Sequence, residues 1–467
     1  MKLQPYPKYK ASGVEWLGDL PEHWAIGKFS REVRIAEGQA DPEVEPFVSM
    51  ILVAPNHIES GTGRLLAKET AAEQCAISGK YVCRAGEVVY SKIRPALAKV
   101  VLAPEDCLCS ADMYPMTPIG LLSSRYLLRL LVSSQFTAWS VLEADRVAMP
   151  KLNRETLNDL RLPVPPRVEQ VAIADFLDRE TAKIDTLVAK NRTLIERLKE
   201  KRTALISRTV TRGLPPDAAR AAGFDPEPKL KASGMQFFGN VPNGWRVTRV
   251  WLERVGRNLE YQDGNHGEIH PKASDYVSDG VPFVMANDIV DGQIDFSRCN
   301  CLEPELSASL RIGFAVAGDV LLTHKGTIGR VGMVQSSQHS YVVLTPQVTY
   351  YRCLRRIIAR FLFWFFQARA WQEQLDLVAS LGTTRAYIGL LDQRFLAVLF
   401  PAEPEQHAIA NFLDRETAKL DALVSKIETA IDRLQEYRTA LITAAVTGKI
   451  DVRDQTQHNG PQLARIP

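Results

Sequence analysis

The chain has 467 residues, which is too long for one ordinary domain and suggests about three. Its hydrophobic fraction of 46% is sufficient for packed cores, and its seven cysteines, an odd number, argue against a disulfide framework. A formal net charge of +3 neither requires nor excludes a nucleic-acid partner, so any such contact must come from local patches. The polar first ten residues are not a secretory signal, and the most apolar run, 361–366, is far too short to cross a bilayer. We therefore expect a cytoplasmic protein with no membrane segment.

The chain begins with a segment that occurs twice. KASGVEWLGDLPEHW at 10–24 matches KASGMQFFGNVPNGW at 231–245, an offset of 221 residues. In the variable region that follows the first copy, a turn and a β-branched run at 86–94 predict a strand, and 124–144 predicts a helix. This region is predicted to be a mixed α/β globule.

A long helix is predicted next. Residues 169–212 contain no glycine, and the nearby prolines lie only upstream, where they mark the start of a helix. Apolar positions then recur in steps of three and four, which is typical of a coiled-coil seam. The predicted seam consists of Ile184, Leu187, Asn191, Leu194, Leu198 and Leu205.

The middle of the chain predicts a linker and a second globule. Residues 213–228 are rich in proline and alanine, as linkers often are. The second variable region, about 246–402, repeats the plan of the first. Its segment GDVLLTHKGTIGRVG at 318–332 predicts a turn and a strand, and 356–378 predicts a helix.

The segment 405–448 is the strongest sign of duplication. Aligned with 169–212, it has 29 identical residues in 44 positions, so it predicts a second long helix. Its predicted seam consists of Leu420, Leu423, Ile427, Leu434 and Leu441. Two equal seams in one chain favour pairing with each other, and the alternative is that each helix packs separately on its own globule.

Motifs for catalysis are missing from the sequence. It contains neither the glycine-rich loop and N/D-P-P-Y/F tetrapeptide of a methyltransferase nor a P-loop. The pairs Cys107/Cys109 and Cys299/Cys301 lack the spacing of common zinc sites, so buried thiols are the better interpretation. We expect no catalytic residue, metal site or cofactor in this chain.

Together these segments resemble the specificity subunit of type I restriction–modification systems over essentially the whole chain. The resemblance rests on the two KASG segments, on GFDPEPKLKASG at the mid-chain junction and on GDVLLTHKGTIGRVG. It rests further on the pattern EQ-x-x-I-A-x-FLD at each helix start, preceded by Pro166 in the first copy and by Pro401 and Pro404 in the second, and on YRTALITAAVTGKIDV at 437–452.

The resemblance implies an α/β (α+β) fold with two mixed target-recognition domains. Two long helices are expected to join them, pairing as an antiparallel coiled coil with an internal pseudo-two-fold. The implied boundaries are 1–165 for the first recognition domain, 166–212 for the first helix, 213–235 for the linker, 236–402 for the second recognition domain, 403–448 for the second helix and 449–467 for the tail.

The implied function is non-catalytic recognition of a bipartite site in double-stranded DNA. The implied partners are two adenine methyltransferase subunits, which use S-adenosylmethionine, and motor/nuclease subunits, which use ATP with Mg for cleavage. From the residues alone, two alternatives stay open: a structural coiled-coil scaffold with DNA-adhesive globules, and a self-contained modification enzyme.

Side chains that can reach base edges or phosphates occur in two kinds of segment. One is the glycine-spaced loop at 323–330 with its weaker counterpart at 91–94, which lacks the second glycine. The other lies before each long helix, at 146–153 and 380–387. The candidate DNA contacts are Ser91, Lys92, Arg94, Arg146, Lys151, Asn153, Thr323, His324, Lys325, Thr327, Arg330, Thr383, Thr384, Arg385 and Tyr387. Asn287 and Gln347 are further candidates by residue type alone.

Overall fold

The computed structural model describes residues 4–144, 150–266, 268–336, 339–380 and 387–454. The chain divides into two compact units, one formed by Met1–Arg192 with Glu428–Pro467 (unit 1) and the other by Thr193–Ile427 (unit 2). Each unit contains one globule and about half of each long helix.

Unit 1 is a mixed α/β body. Its strands are β1 Tyr9–Ala11, β2 Asp19–Pro21, β3 Ala25–Lys28, β4 Val33–Ile35, β5 Leu52–Val53, β6 Tyr81–Cys83, β7 Val88–Ser91, β8 Val100–Leu102, β9 Cys107–Cys109, β10 Met113–Pro118 and β11 Arg161–Val164. Its helices are α1 Phe29–Glu32, α2 Ser124–Leu131, α3 Ser134–Ala144, α4 Arg154–Asp159 and the first part of α5 Arg167–Arg212. The predicted helix at 124–144 is thus two helices, α2 and α3.

Unit 2 is also a mixed α/β body, and its two main sheets have more strands than those of unit 1. Its strands are β12 Leu230–Ala232, β13 Asn240–Pro242, β14 Arg246–Arg249, β15 Leu259–Asp263, β16 Tyr276–Val277, β17 Val281–Val284, β18 Ile289–Val290, β19 Gln293–Ile294, β20 Asn300–Leu302, β21 Phe314–Ala315, β22 Val320–Thr323, β23 Val331–Met333, β24 Val342–Leu344, β25 Val348–Cys353 and β26 Ala397–Phe400. Its helices are α6 Pro216–Ala221, α7 Val250–Val255, α8 Pro304–Ser309, α9 Ala359–Gln367, α10 Arg369–Ser380, α11 Leu390–Gln393 and the first part of α12 Glu403–Val446.

The two units share one strand topology. In unit 1 the sheets have the orders β1–β2, β11–β3, β4–β10–β7–β8 and β5–β9–β6. In unit 2 the corresponding orders are β12–β13, β14–β26, β15–β25–β22–β23–β19–β18 and β16–β20–β17–β24–β21. Parallel pairing occurs at matching places, β5 with β9 and β17 with β24. The duplication therefore extends through the variable regions, where the sequences have diverged.

Each globule is closed by a strand pair just before the long helix. Antiparallel β3–β11 closes residues 25–164, the head of unit 1, and antiparallel β14–β26 closes residues 246–400, the head of unit 2. In unit 2 the central strand β22 is buried on both faces, with Val320 and Leu322 in one apolar cluster and Leu321 in another. This two-sided burial explains why its sequence is apolar throughout rather than alternating.

The long helices begin and end where the sequence predicts. The first follows Pro165 and Pro166, and Gly213 comes directly after its last residue with φ +90°. The second ends in a left-handed Gly448, where the amides of Gly448 and Lys449 donate to the carbonyls of Ala445 and Ala444. This hydrogen-bond pattern is a glycine C-cap.

Identical residues at the two helix starts fasten each helix to the KASG segment that precedes its head. The indole Nε1 of Trp24 donates to Glu169 at 2.7 Å, and that of Trp245 donates to Glu405 at 3.0 Å. These tryptophans end the two KASG segments. Burial raises the pKa of Glu405, whereas the indole hydrogen bond opposes that shift.

The next residue of each helix start forms a second link. The side-chain oxygen of Gln170 accepts a hydrogen bond from the amide of Ser123 at 2.8 Å. That of Gln406 accepts one from the amide of Ile358 at 2.9 Å. Each glutamine therefore binds the backbone at the N-terminus of a helix in its head, α2 in unit 1 and α9 in unit 2. The EQ dipeptide shared by both copies is thus explained by attachment of the helix.

The buried stripe of the long helices coincides with the predicted seam at eight of its eleven positions. Leu187, Leu194 and Leu423 are 49%, 43% and 43% exposed, so their assignment to the seam was wrong. The buried or half-buried positions instead run in alternating steps of four and three. They are Thr181, Ile184, Val188, Asn191, Ile195, Leu198, Arg202 and Leu205 in α5, and Thr417, Leu420, Val424, Ile427, Ile431, Leu434, Arg438 and Leu441 in α12.

An ion pair joins the two long helices within each unit. In unit 1, Arg438 Nε lies 2.9 Å from Asp185, and in unit 2, Arg202 Nε lies 3.0 Å from Asp421. Asp185 of α5 pairs with Arg438 of α12, whereas Arg202, further along α5, pairs with Asp421, which comes earlier in α12. This reversed order is that of an antiparallel pair of helices.

The apolar run 361–366 lies in α9, and its side chains are buried in the core of unit 2. Within the described ranges, no helix is both long and apolar enough to cross a membrane.

Candidate nucleic-acid interface

The structure brings the two kinds of candidate segment together in unit 1. Ile93 pairs with Lys151 in an isolated antiparallel bridge, and the amide of Leu152 donates to the carbonyl of Lys92 at 2.8 Å. Segments that are about 60 residues apart in sequence therefore form one surface. We name residues 91–94 and 151–153 patch 1.

Patch 1 contains exposed and buried candidates. Arg94 and Lys151 are exposed, and Lys92 Nζ lies 5.4 Å from the ring of Tyr114. Ser91 is buried, and its hydroxyl donates to the carbonyl of Ile93, so its role is structural. Asn153 is the N-cap residue of α4, without a side-chain capping hydrogen bond. Arg146 lies outside the described residues.

Unit 2 repeats this arrangement at the same place. Lys325 pairs with Tyr387 in an antiparallel bridge, and the amide of Ile388 donates to the carbonyl of His324 at 3.0 Å. The Lys325 ammonium lies 5.9 Å from the Tyr387 ring. The backbone carbonyl of Gln347 accepts a hydrogen bond from the amide of His324. We name residues 323–330 and 387 patch 2. Thr383, Thr384 and Arg385 lie outside the described residues.

The glycine-spaced loop of patch 2 is closed at its base by Thr323. The amide of Thr323 donates to the carbonyl of Arg330, the amide of Arg330 donates to the Thr323 hydroxyl, and the amide of Gly329 donates to the Thr323 carbonyl, each at 2.9 Å. Gly326 and Gly329 have φ of +77° and +86°, which other residues rarely adopt. Thr323 is fully buried and so holds the loop, while Lys325, Thr327 and Arg330 are exposed.

His324 lies beneath the loop in a buried polar network. Its Nδ1 is 2.7 Å from the hydroxyl of Thr349, which in turn donates to Asp263 at 2.7 Å. Gln393 donates to the same hydroxyl and to the carbonyl of Ile388, so the network supports the chain beside Tyr387. Burial lowers the pKa of His324, which favours its neutral form. His324 therefore supports the loop from within the protein. Because its side chain is buried, it does not lie where the predicted DNA contact would require it.

Patch 1 and patch 2 are equivalent despite the missing glycine. In unit 1 the amide of Ser91 donates to the carbonyl of Lys99, as Thr323 does to Arg330 in unit 2. Lys99 Nζ donates to the carbonyl of Pro55, and Arg330 Nη1 donates to the carbonyl of Ala286. Lys99 is a site residue that the sequence analysis missed, because no motif surrounds it.

A second feature missed from sequence is a polar cleft of about 600 Å³ beside Arg330 in unit 2. Its lining residues come from segment 287–298, which includes the β18–β19 hairpin, from the end of the glycine-spaced loop with the start of β23, and from α9 and α10. They are Asn287, Ile289, Val290, Asp291, Arg298, Gly329, Arg330, Val331, Gln367 and Gln372. Most of these residues are far apart in sequence, and only Asn287 and Arg330 were candidates.

The described residues contain no group of three or more His, Cys, Asp or Glu side chains that could hold a metal ion. Cys83, Cys107 and Cys109 are free, buried thiols, and Cys299 and Cys301 are free and half-buried. What the sites offer is exposed cationic, amide and aromatic groups on rigid loops, which suits binding to phosphates and bases.

Comparison with known proteins finds a matching family model for part of unit 1 and part of the first long helix. Residues 63–197 match a family model described as type I restriction modification DNA specificity domain. This match spans patch 1 and residues 167–197 of α5.

The relatives found by sequence are specificity subunits of type I restriction enzymes, which confirms the resemblance predicted from the sequence. The type I restriction enzyme EcoDI specificity subunit of Escherichia coli is 35% identical over 171 residues, 37% of this chain and 38% of that protein. The EcoBI specificity subunit, also from Escherichia coli, is 24% identical over 313 residues, 65% of this chain and 61% of that protein. The matches thus span less than two thirds of the length of either relative.

The fold has a counterpart among solved structures. A chain from a study of complex assembly and conformational transition of the type I R-M system superposes with a TM-score of 0.63 at 19% identity. The superposition covers 92% of this chain and 99% of that chain. At this identity the comparison establishes a common fold, with mixed α/β units and long helices.

Proposed function

We propose that this chain is the DNA-reading subunit of a type I restriction–modification complex in the cytoplasm. In this proposal each unit reads one half of a bipartite site in double-stranded DNA, and the chain itself catalyses no step. The observation that carries the proposal is the occurrence of one loop arrangement, patch 1 and patch 2, at the same place in two units whose heads have different sequences. Two loops with the same backbone arrangement but different side chains are suited to reading two half-sites of different base sequence.

The surface chemistry of the patches supports DNA as the ligand. Exposed Arg94 and Lys151 in unit 1, and Lys325 and Arg330 in unit 2, offer cations to phosphates or to guanine. The Tyr387 ring, 47% exposed, offers a flat face beside Lys325. The net charge of the whole chain is small, so recognition is assigned to these local surfaces.

We further propose that the partners are two copies of one adenine methyltransferase, with motor/nuclease subunits joining for cleavage. The long helices support this stoichiometry, since they repeat part of their exposed surface in both units. Leu187 in unit 1 and Leu423 in unit 2 are identical, exposed leucines, and equal surfaces bind equal partners. S-adenosylmethionine, ATP and Mg would be bound by those partners rather than by this chain.

The function is tested by mapping methylated adenines in cells that express the chain with its methyltransferase. We expect one split motif made of two short, defined words separated by unspecified bases. Methylation without a discrete motif would support the adhesive scaffold instead. Methyl transfer to DNA by the purified chain alone, given S-adenosylmethionine, would support the self-contained modification enzyme.

The stoichiometry is tested by native mass measurement of the purified complex. We expect two methyltransferases per chain, and one after either Leu187→Asp or Leu423→Asp. Arg192→Glu is a matched control, because the second copy of the helix has Glu428 at that position. A single bound methyltransferase in the unaltered complex would contradict the proposal.

A further inference from the structure

The polar cleft in unit 2 has a fixed floor. Gln372 Nε2 donates to the carbonyls of Gly329 and Phe366 at 3.0 and 2.7 Å, and Arg330 Nη1 donates to the carbonyl of Ala286. A Cβ atom on Gly329 would contact the side-chain oxygen of Gln372, and the left-handed φ of +86° independently favours glycine at this position. The floor is therefore held in place before any ligand arrives.

One wall of the cleft is a tight hairpin. Strands β18 and β19 are joined by Asp291 and Gly292 alone, with φ of +49° and +81°, which is the geometry of a two-residue turn with both residues left-handed. A Cβ on Gly292 would lie 2.7 Å from the Phe363 ring, so the turn is pressed onto α9. The carboxylate of Asp291 is thus presented from a rigid support, and it is exposed.

The rim of the cleft has unused hydrogen-bonding groups. Asn287, Asp291 and Arg298 are exposed, and none of their side chains has a hydrogen-bond partner among the described residues. The Nε2 of Gln367 is buried without a partner, which is rare for an amide donor in a native structure. Together these groups can donate to and accept from a ligand that has both kinds of group on one edge.

This mixture favours base edges over phosphate. A phosphate accepts hydrogen bonds only, so Asp291 would repel it at the site where Arg298 and Arg330 attract it. A base pair in the major groove presents both acceptors and donors, and arginine pairs with guanine, asparagine and glutamine with adenine, and aspartate with cytosine. The major groove also admits a two-stranded ribbon, which is the form of the β18–β19 hairpin.

The corresponding place in unit 1 shares the frame but not the rim. In both units a strand is followed by a 3₁₀ turn and then by a hairpin. Val53, Asn56 and Ile58 occupy these three elements in unit 1, at the positions of Val284, Asn287 and Ile289 in unit 2. The hairpin of unit 1 closes at Ile58↔Leu65 rather than Ile289↔Ile294, so its loop is longer by two residues. Its cation, Arg64, is bound to Glu59 at 2.7 Å. The heads therefore differ at the rim of the cleft while keeping its frame.

We propose that the cleft of unit 2 is a base-reading pocket, in which Arg298 and Asp291 determine the identity of one or two base pairs of the half-site that unit 2 reads. The proposal rests on the proposed function, since it needs double-stranded DNA as the ligand. It adds specificity-determining residues outside patch 2. Arg330 and Gln372 position the pocket, and Asn287 supplies an amide that unit 1 repeats as Asn56.

The test uses the complex of the full chain with its methyltransferase. Arg298→Ala and Asp291→Ala are compared with Arg220→Ala, which removes an exposed charge from α6 in the linker. The readouts are the methylated motif in cells and the affinity for duplexes substituted at each position of both half-sites. We expect each cleft variant to relax one position of one half-site, with discrimination there reduced about 10- to 100-fold, and to leave the other half-site unchanged.

The outcomes separate this proposal from the proposed function. If the unaltered complex shows a split motif and both cleft variants keep it, the pocket does not read bases and the proposed function stands. If Arg298→Ala weakens binding to all duplexes equally and lowers the salt slope by about one, Arg298 binds a phosphate and the proposal is wrong. If the unaltered complex has no motif, the proposed function itself fails.

Discussion

Lys325 extends from the tip of a loop whose base is closed by three hydrogen bonds, and its ammonium faces the Tyr387 ring. Loss of this charge should weaken binding to every DNA sequence and reduce the salt slope by about one, because phosphate contacts position the protein without specifying bases. Lys325→Ala is compared with Lys231→Ala, an exposed lysine of β12 outside the patch, by titrating a target duplex at several salt concentrations. Equal slopes for the two variants would exclude Lys325 from the interface.

The buried His324 has a different role, and its titration can show it. Because burial disfavours the imidazolium, the pKa of His324 in the folded protein lies below the ordinary value of 6.5. As the pH falls below about 6.5 the unfolded chain takes up this proton first, so stability present at neutral pH is lost as the pH falls towards the folded pKa. NMR of ¹³C-labelled histidine rings, assigned with His324→Gln, should show that the His324 ring takes up its proton at a lower pH than an ordinary histidine. An ordinary midpoint for that ring would contradict the buried network.

At the scale of elements, the seam of the long helices can be tested with neighbouring residues. Val188 is buried and Leu187 is half exposed in the same turn of α5. Val188→Ala removes buried methyl groups and should lower the free energy of unfolding by about 1–2 kcal/mol, whereas Leu187→Ala should change it by less than about 0.5 kcal/mol. Urea unfolding of the two variants measures the difference. A larger loss for Leu187→Ala would restore the seam predicted from the sequence.

The same residues show how far the sequence determines these elements. Helix existence, length and ends follow from the missing glycines, the upstream prolines and the glycine caps, so they were predicted closely. Three seam positions were misplaced by one residue, because Leu187 and Val188 are both apolar and a step of three or four is equally consistent with periodicity. The structure places the seam in line with Thr181, whose hydroxyl donates to the carbonyl of Leu177.

The site was predictable only in part, for a related reason. Sequence patterns located both loops of each patch, since glycine spacing and cationic residues are local signals. They did not show that Ile93 meets Lys151, because that contact depends on the strand order of the whole head. They also could not separate Thr323, which closes the loop, from Lys325, which is exposed, since burial is set by tertiary packing.

At the scale of the whole molecule, each unit has its own sheets, apolar core and patch. The head of unit 2 begins and ends in one strand pair, with Arg246 opposite Phe400, so its two ends are adjacent. The head of unit 1 is closed in the same way by Ala25 opposite Val164. A segment with adjacent ends and a core of its own can be exchanged without altering the helices on which it stands.

Exchange of residues 246–400 for the corresponding head of a related protein should therefore change one word of the methylated motif and leave the other intact. The Trp245–Glu405 hydrogen bond lies outside the exchanged segment and is kept, while the donor head must supply partners for Gln406 and Asp414, which bind Ile358, Arg360 and Trp364 in this chain. The measurement is the methylated motif in cells, with exchange of 25–164 as the reciprocal control. We expect the two exchanges to alter opposite words, and the double exchange to combine both changes. If a single exchange altered both words in an active complex, the heads would not read DNA independently, and the division of labour between patch 1 and patch 2 would have to be abandoned.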